Sequence, residues 1–337
     1  MLSWLKGLIV AGVVVGAMLT AMGLLASSWP LLDIVNNGLP FLVAGTLLLL
    51  VLAALLRNVR LIAAAAALLA VNLWLAVGAM QDAAPQAAPG SERALRIVTF
   101  NLWRGNDRMD EVAAFLADQA ADAVVLQEVT RAHGEMLRRA LQQVYPFASG
   151  DEHLVILSRH PILAEGRVDR PDFPPWIALM LRWARLDVNG TQVEVIGVHL
   201  ARPFYPRLQE EDIEALSSFV LPREGPLVLA GDFNMSPWTE KLGRLAYLTG
   251  LRRTNTFIFT WPMRRGGLQL LPFVAIDNVL VSAHFATIAT QGGPRLGSDH
   301  RAVTADLALA GAKRSSRGID LPAAMRRAML TLKEDKP

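Results

Sequence analysis

Charged side chains are missing from three long stretches near the start of the chain. None occurs between Lys6 and Asp33, between Asp33 and Arg57, or between Arg60 and Asp82. The apolar cores of these stretches run over 7–28, 39–56 and 61–80. Crossing a hydrocarbon core of about 30 Å takes roughly 20 helical residues. The first and third stretches therefore predict membrane-spanning helices, and the second is close to the lower limit of length. Trp4 and Trp29 flank the first stretch, where an interfacial aromatic belt would place them. A cleaved leader is the competing reading of 7–28, given Lys6 before it and Ala26-Ser27-Ser28 after it. The apolar run is longer than the roughly 7–15 residues of a leader core, and two more such runs follow, so a retained anchor is expected.

The short loops give a direction. The turn Arg57-Asn58-Val59-Arg60 is basic and the N-terminus carries Lys6, whereas 29–38 holds only Asp33. Basic loops tend to stay cytoplasmic. The N-terminus and the 57–60 turn are thus expected inside, and everything after residue 81 outside the cytoplasm. The chain reads as a multi-pass protein of a bacterial-type inner or plasma membrane, with the bilayer as its evident partner and no obligate protein partner inferred. Residues 81–95, with Pro85, Pro89 and several alanines, read as a linker that lets the rest of the chain stand off the bilayer.

From Arg96 the periodicity changes. Arg96–Asn101 alternates as a strand, and Asp107–Gln119 places Val112, Phe115 and Leu116 on one helical face. Ala123–Gln127 reads as a buried strand and Arg131–Val144 as a helix. Strands follow near 153–158, 178–188 and 191–199. A polar helix at 207–220, a buried strand at 227–230 and strands near 276–282 and 301–308 complete the pattern. Many strands with few helices predict an α/β fold of two packed sheets with helices outside. The chain thus divides into a three-helix anchor at 1–80, the linker at 81–95, an outer domain at 96–310 and a basic tail at 311–337. Within that tail 322–332 could form a short helix, with Pro322 at its first position.

Charge confirms the division. The net +3 arises as +1 over 1–95, −2 over 96–310, where 22 basic face 24 acidic side chains, and +4 over the tail. The pI near 9.5 is therefore a property of the tail. The totals lend no support to a nucleic-acid binder with a basic working face. The chain has no cysteine, which excludes disulfides and thiolate metal sites.

Within 96–310, buried runs repeatedly end in an acid, an amide or an imidazole. These ends are Thr99-Phe100-Asn101, Leu126-Gln127-Glu128, Gly197-Val198-His199, Gly231-Asp232-Phe233-Asn234, Ile276-Asp277-Asn278 and Gly297-Ser298-Asp299-His300. Polar groups at the ends of core strands are costly unless satisfied, and strands that share an edge would bring them together. Such an oxygen-rich set suits Mg²⁺, with Mn²⁺ as the alternative, rather than a zinc cage. Mg²⁺ takes only one or two carboxylates, leaving the other groups for acid–base work. Hydrolysis of a phosphate ester fits this inventory.

At these residues the chain resembles the endonuclease/exonuclease/phosphatase superfamily, which includes apurinic endonucleases, pancreatic-type deoxyribonucleases, neutral sphingomyelinases and inositol polyphosphate 5-phosphatases. The order Asn, Leu-Gln-Glu, Ser-Arg-x-Pro, His-Leu, Gly-Asp-Phe-Asn, Ile-Asp, Ser-Asp-His spans 96–308. The resemblance implies a four-layer α/β-sandwich of two packed mixed sheets, here preceded by three transmembrane helices. It implies Glu128 as the main metal ligand, with Asn101 and Asp299 beside it. Asp232 would align or deprotonate the attacking water, and Asn234 would hold that water or a phosphate oxygen. His300, oriented by Asp277, would stabilise the transition state, and His199 would contact phosphate or protonate the leaving group. Arg159 of Ser158-Arg159-His160-Pro161 either touches phosphate or braces the sheet. His133, His153, His160 and His284 are read as non-catalytic.

The chain lacks the extra DNA-gripping loops of the apurinic endonucleases. The segment 257–272, with Trp261, Arg264 and Arg265, is either a substrate-side loop or an ordinary connection. The expected activity is metal-dependent, in-line water attack on a phosphodiester or phosphomonoester. The substrate is a phospholipid headgroup or extracytoplasmic nucleic acid, and a non-catalytic scaffold that kept the fold is the reading from another class.

Overall fold

The computed structural model of the chain describes residues 2–80, 83–169, 179–254 and 258–310. The basic tail and its expected helix lie outside the described residues. Helices α1 (Leu2–Leu24), α2 (Leu39–Leu55) and α3 (Val59–Gly78) cover most of the charge-free stretches, with Lys6 in the first turns of α1 and Arg60 at the start of α3, and all three are long and apolar enough to cross a membrane. The break between α2 and α3 is local chemistry: Arg57 takes a positive φ of 50°, and the Asn58 side chain caps α3 by accepting from the Leu61 N–H. Small residues let the helices approach. A Cβ at Gly12 would meet Leu49 at 2.7 Å, and Gly16 lies against Leu68 and Thr46. Buried Thr20 donates from Oγ1 to Asn72 Oδ1 across α1 and α3 at 3.0 Å.

Contacts divide the described residues into two units. The first joins the described residues before Ala83 with Ser236–Gly243, and the second holds the described residues of Ala83–Met235 and those from Arg244 onward. In the first unit a 3-10 helix, Pro30–Gly38, leads into α2. Its Asp33 is buried and accepts from the Glu240 and Lys241 N–H groups at 2.9 and 3.1 Å. Lys241 Nζ donates to the Pro30 carbonyl at 2.7 Å, and Asn37 Oδ1 accepts from the Ser236 N–H at 2.9 Å.

The second unit carries β1 (Leu95–Asn101), α4 (Met109–Gln119), β2 (Ala123–Val129), α5 (Arg131–Leu141), β3 (Phe147–Ser149), β4 (His153–Ser158), β5 (Ile162–Asp169), β6 (Met180–Val188), β7 (Thr191–His199), α6 (Pro206–Val220) and β8 (Leu227–Asp232). Helix α7 (Glu240–Thr249), whose residues up to Gly243 belong to the first unit, and strands β9 (Arg252–Arg253), β10 (Arg264–Arg265), β11 (Leu268–Gln269), β12 (Asp277–Val281), β13 (Phe285–Gly292) and β14 (Val303–Leu309) follow. One six-stranded sheet has the order β13-β14-β1-β2-β4-β3, the other β5-β6-β7-β8-β12-β9, and β10-β11 form a separate hairpin. Both large sheets are mixed. Among their pairings β1–β2 and β7–β8 are parallel and the others antiparallel.

The alternation of side chains along β1 and β2 builds two layers of core. Ile97 and Val125 face the other sheet, where they share a core with Val195, Val228 and Val279. Val98, Phe100, Val124 and Leu126 face outward and pack under α4 and α5 through Val112, Leu116, Leu137 and Leu141. A period of two in a strand covered on both faces produces this pattern. On the other side α6 is tied to the ends of β6 and β7, because Asp212 accepts from the N–H groups of Leu179 and Ala201. The architecture is the expected α/β-sandwich.

Residues read from sequence as linker are partly held by the fold. Ala84 is buried, and its N–H donates to the Arg253 carbonyl at 2.7 Å. The Thr287 N–H donates to the Pro85 carbonyl, and the Thr287 carbonyl accepts from Ala87, both at 2.8 Å. Residues 83–87 therefore run along β9 and β13 rather than standing free.

Candidate active site

The two parallel pairings set the site. Asn101 ends β1 beside Gln127 of β2, and His199 ends β7 beside Asp232 of β8. Strand β12 runs antiparallel to β8, so its first residue, Asp277, also lies opposite Asp232. Six strand ends thus deliver polar side chains to one edge of the sandwich, as their recurrence in the sequence implies. The backbone is unusual there. Glu128 and Asn234 hold positive φ values of 56° and 51°, conformations that non-glycine residues adopt at a cost. A Cβ on Gly231 would sit 2.0 Å from the Val198 carbonyl oxygen, so only glycine lets β8 approach β7 this closely.

Asp232 is the hub. Its Oδ2 accepts from Asn101 Nδ2 at 3.0 Å and lies 3.6 Å from His199 Nε2 and 3.8 Å from His300 Nε2. Its Oδ1 accepts from the Asn234 N–H at 2.9 Å. The Asn234 side chain donates to the Leu200 carbonyl, which fixes the motif loop to the end of β7. Asp232, Asp277 and His199 are all buried.

Asp277 Oδ2 and His300 Nδ1 share a 2.8 Å hydrogen bond. Burial alone would disfavour the His300 imidazolium, but Asp277, Asp232 and Asp299 outweigh it and lift the pKa to about 10. Burial pushes the Asp277 carboxyl up, an effect partly offset by His300 and reinforced by Asp232. At neutral pH the pair therefore keeps its proton, and His300 presents positive charge through Nε2.

On the first sheet, Glu128 accepts from Asn101 Nδ2 at 3.4 Å and from the Arg104 N–H at 3.3 Å, both long contacts. Asp299 lies close enough to feel the Glu128 charge. Burial raises its pKa first, His300 opposes that, and Glu128 adds to it. The Trp261 indole donates to Asp299 Oδ2 at 3.3 Å. Asn101 presents its amide nitrogen to both Glu128 and Asp232, while its oxygen accepts from the Trp103 N–H. It is thus a brace between carboxylates with one lone pair left for ligation.

Among the described residues two groupings could hold a cation. Ligand atoms of Asp232, Asp277 and His300 all lie within 4.8 Å of one another. In that group Asp277 Oδ2 and His300 Nδ1 already bond each other at 2.8 Å. Glu128 and Asp299 offer oxygens with only long or single partners and repel each other, which a hard cation would relieve. Glu128 and Asp299 are therefore the carboxylates with more capacity left for a cation. Asp277 Oδ1 and His199 Nδ1 are buried with no hydrogen-bond partner, so the site holds polar capacity still to be used.

The structure brings together Asn101, Glu128, His199, Asp232, Asn234, Asp277, Asp299 and His300, but not Arg159. Strand β4 runs antiparallel to β2, so Arg159 emerges where β2 begins, at the opposite edge. There its N–H donates to the Asp122 carbonyl and Nη1 to the Ala120 carbonyl. Of the two readings of Arg159, the structural brace is the one its contacts describe. His160 lies at that same edge against Asp122.

Sequence reasoning missed Thr260 and Arg104 as supporting residues and gave Ser298, though part of a quoted motif, no role of its own. Buried Thr260 accepts from the Ile276 and Asp277 N–H groups through Oγ1. Ser298 donates to the Asn101 carbonyl at 2.7 Å and accepts from the His300 N–H. Arg104 reaches His153 Nδ1 at 3.4 Å beside Glu128. Ser298 adjoins the Asp-His motif, but nothing in the sequence marks Thr260 or Arg104. The described part of segment 257–272 borders the site: Arg264 stacks on Trp103 at 4.6 Å and donates to the Gly297 carbonyl, and the Met263 N–H donates to the Asp299 carbonyl.

The fold has counterparts among solved structures. A solved endonuclease/exonuclease/phosphatase from Beutenbergia cavernae superposes with a TM-score of 0.54 at 23% identity, covering 66% of this chain and 73% of that one. One from Bacteroides vulgatus gives 0.53 at 19%, covering 64% and 99%. The mannosyl-6-phosphatase Bt3783 of Bacteroides thetaiotaomicron gives 0.50 at 17%, covering 64% and 100%. At these identities the likeness is one of fold. No curated protein matches by sequence. The model of the Endonuclease/Exonuclease/phosphatase family matches residues 98–300, from the β1 strand to the final histidine of the site. The chain belongs to that family.

Proposed function

We propose that this protein is a membrane-anchored, divalent-metal-dependent phosphoesterase whose catalytic domain lies outside the cytoplasm. The observation that carries the reading is the convergence on Asp232 of Asn101, His199 and His300, with Glu128 and Asp299 alongside. Glu128 and Asp299 would hold Mg²⁺ or Mn²⁺, with Asn101 bracing them. When bound, the cation neutralises phosphate charge and polarises the ester.

The remaining steps belong to side chains. Asp232 takes the proton of a water that attacks phosphorus in line, forming the new P–O bond. Asn234 orients that water. His300, cationic and fixed by Asp277, stabilises the charge that grows on the phosphoryl oxygens. The bond from phosphorus to the ester oxygen breaks, and His199 supplies a proton to the departing oxygen.

Three apolar helices supply the anchor, and the basic 57–60 turn supplies the orientation. The activity test is release of p-nitrophenol from bis-p-nitrophenyl phosphate and from p-nitrophenyl phosphate by the full chain in detergent. Turnover is expected with Mg²⁺ and is expected to stop with EDTA. Absence of metal-dependent turnover on these and on DNA would leave the scaffold reading. A reporter fused after residue 310 should be active only outside the cytoplasm, and cytoplasmic activity would overturn the orientation.

A further inference from the structure

Arg104 meets Glu128 with its backbone and not with its charge. Its N–H donates to Glu128 Oε2, while its guanidinium turns to β4 and brings Nη1 to 3.4 Å from His153 Nδ1. The side chain is exposed, and among the described residues it forms no ion pair. A cation thus stands at the rim of the site without an acid to neutralise it.

Its position is held from two sides. In the loop between β1 and α4 the Trp103 N–H donates to Asn101 Oδ1, and the Trp103 carbonyl accepts from the Asn106 N–H at 2.9 Å. Asn106 is buried, accepts from the Arg108 N–H and donates to the Leu296 carbonyl, both at 2.9 Å. Arg104 is therefore carried on a closed turn. On the strand side, Gln127 pairs with Leu154 and Val129 with His153, so Glu128 is the extra residue of a bulge. A bulge re-aims a side chain. His153 opens β4 with a φ of 62°, beside the 56° of Glu128, and such conformations persist only where the surroundings enforce them.

The nearest acid is already faced. Glu152 has one oxygen 4.0 Å from His153 Nε2 and the other 4.0 Å from Arg131 Nε. Arginine offers five N–H donors in a planar fork that matches phosphate, and Arg104 directs one of them at His153.

We propose that Arg104 and His153 form a second anion subsite, one strand beyond Glu128, which holds a further phosphate on the same molecule as the ester that is cleaved. This rests on the phosphoesterase reading. The two residues select among esters and take no part in the bond-breaking step.

The test uses the full chain in detergent with Mg²⁺ and two matched pairs of p-nitrophenyl phosphodiesters. One pair is the propyl ester ending in a hydroxyl or in a phosphate. The other is the thymidine 5′ ester with a 3′-hydroxyl or a 3′-phosphate. In kcat/KM the phosphorylated member is expected to lead by about tenfold, and the lead should shrink as NaCl is raised. Arg104→Ala and, separately, His153→Ala should bring the ratio towards one, and Arg104→Glu should invert it. The ratio is taken within one protein, so a general loss of activity cancels. Arg104→Gln serves if the alanine protein does not fold. A lead in either pair that the Arg104 variants remove sustains the subsite, and a lead in the thymidine pair alone names a nucleotide as the source of the phosphate. Equal kcat/KM within both pairs, or a lead that the Arg104 variants leave intact, overturns the subsite while the phosphoesterase stands. No metal-dependent turnover of any of these esters or of bis-p-nitrophenyl phosphate overturns the phosphoesterase reading, and the subsite with it.

Discussion

Asp277 and His300 are 23 residues apart in sequence and are joined by a 2.8 Å hydrogen bond at the buried end of two different sheets. Asp277 opens β12 in the second sheet, and His300 lies in the loop before β14 of the first. The bond therefore ties the two halves of the sandwich at the point where polar groups converge. It also fixes which nitrogen of His300 faces Asp232.

Because Asp277 works through His300, their losses should not add. His300→Gln is expected to lower kcat on bis-p-nitrophenyl phosphate by roughly 10²–10³. Asp277→Asn should approach that loss, and the double variant should be little worse than His300→Gln alone. Multiplicative losses would mean that the two residues act independently.

Glu128→Gln removes the charge that the cation needs while keeping the shape. Activity should fall by at least about 10², with little change in folding. Melting curves give a separate reading. Mg²⁺ at 100 times its Kd should add about 2.7 kcal/mol to the unmodified protein and nothing comparable to the variant. An equal shift in both would move the cation away from Glu128.

Gly231→Ala drives a methyl group into the Val198 carbonyl, so β8 must separate from β7 just where His199 and Asp232 pair. We expect several kcal/mol of destabilisation, or failure to fold. Gly243→Ala is the control. That helical glycine has open space around its Cβ position, and alanine there should be neutral or stabilise by about 0.5–1 kcal/mol, read by chemical denaturation.

Tyr145 gives a pH signature remote from the site. Its buried hydroxyl donates to the Leu116 carbonyl at 2.7 Å and accepts from the Ala121 N–H. Burial raises its pKa to about 12, against a usual value near 10. The folded state holds the proton more tightly than the unfolded state. This contribution is therefore complete below pH ~10 and is lost as the pH rises towards 12, an effect of roughly 2–3 kcal/mol at most. Tyr145→Phe should be less stable at neutral pH by about 1–2 kcal/mol. It should also lose less stability than the unmodified protein between pH 10 and 12.

Much of this was legible in the chain. Charge-free runs give α1 to α3 because length and apolarity suffice. The strand ends of the site are legible because buried runs that stop in Asn, Glu, His or Asp are chemically expensive. Strand direction is not legible in this way. Arg159 follows a good strand and stands in family order, yet β4 runs antiparallel to β2, which sends it to the far edge. Nor is long-range satisfaction legible: Asp33 looks like one acid in a loop, and its partners are 207 and 208 residues away. Thr260 carries no pattern because a short hydroxyl serves wherever a backbone N–H needs it.

The strip at 83–87 bears on how a soluble form can be cut. Its backbone occupies hydrogen-bonding positions of Arg253 and Thr287, and Ala84 fills a buried place beside them. A fragment starting near residue 91 would strip those positions bare and leave two sheet margins open to other copies. A fragment that keeps everything from Ala83 retains its own selvedge, and it should be the better behaved of the two at high concentration.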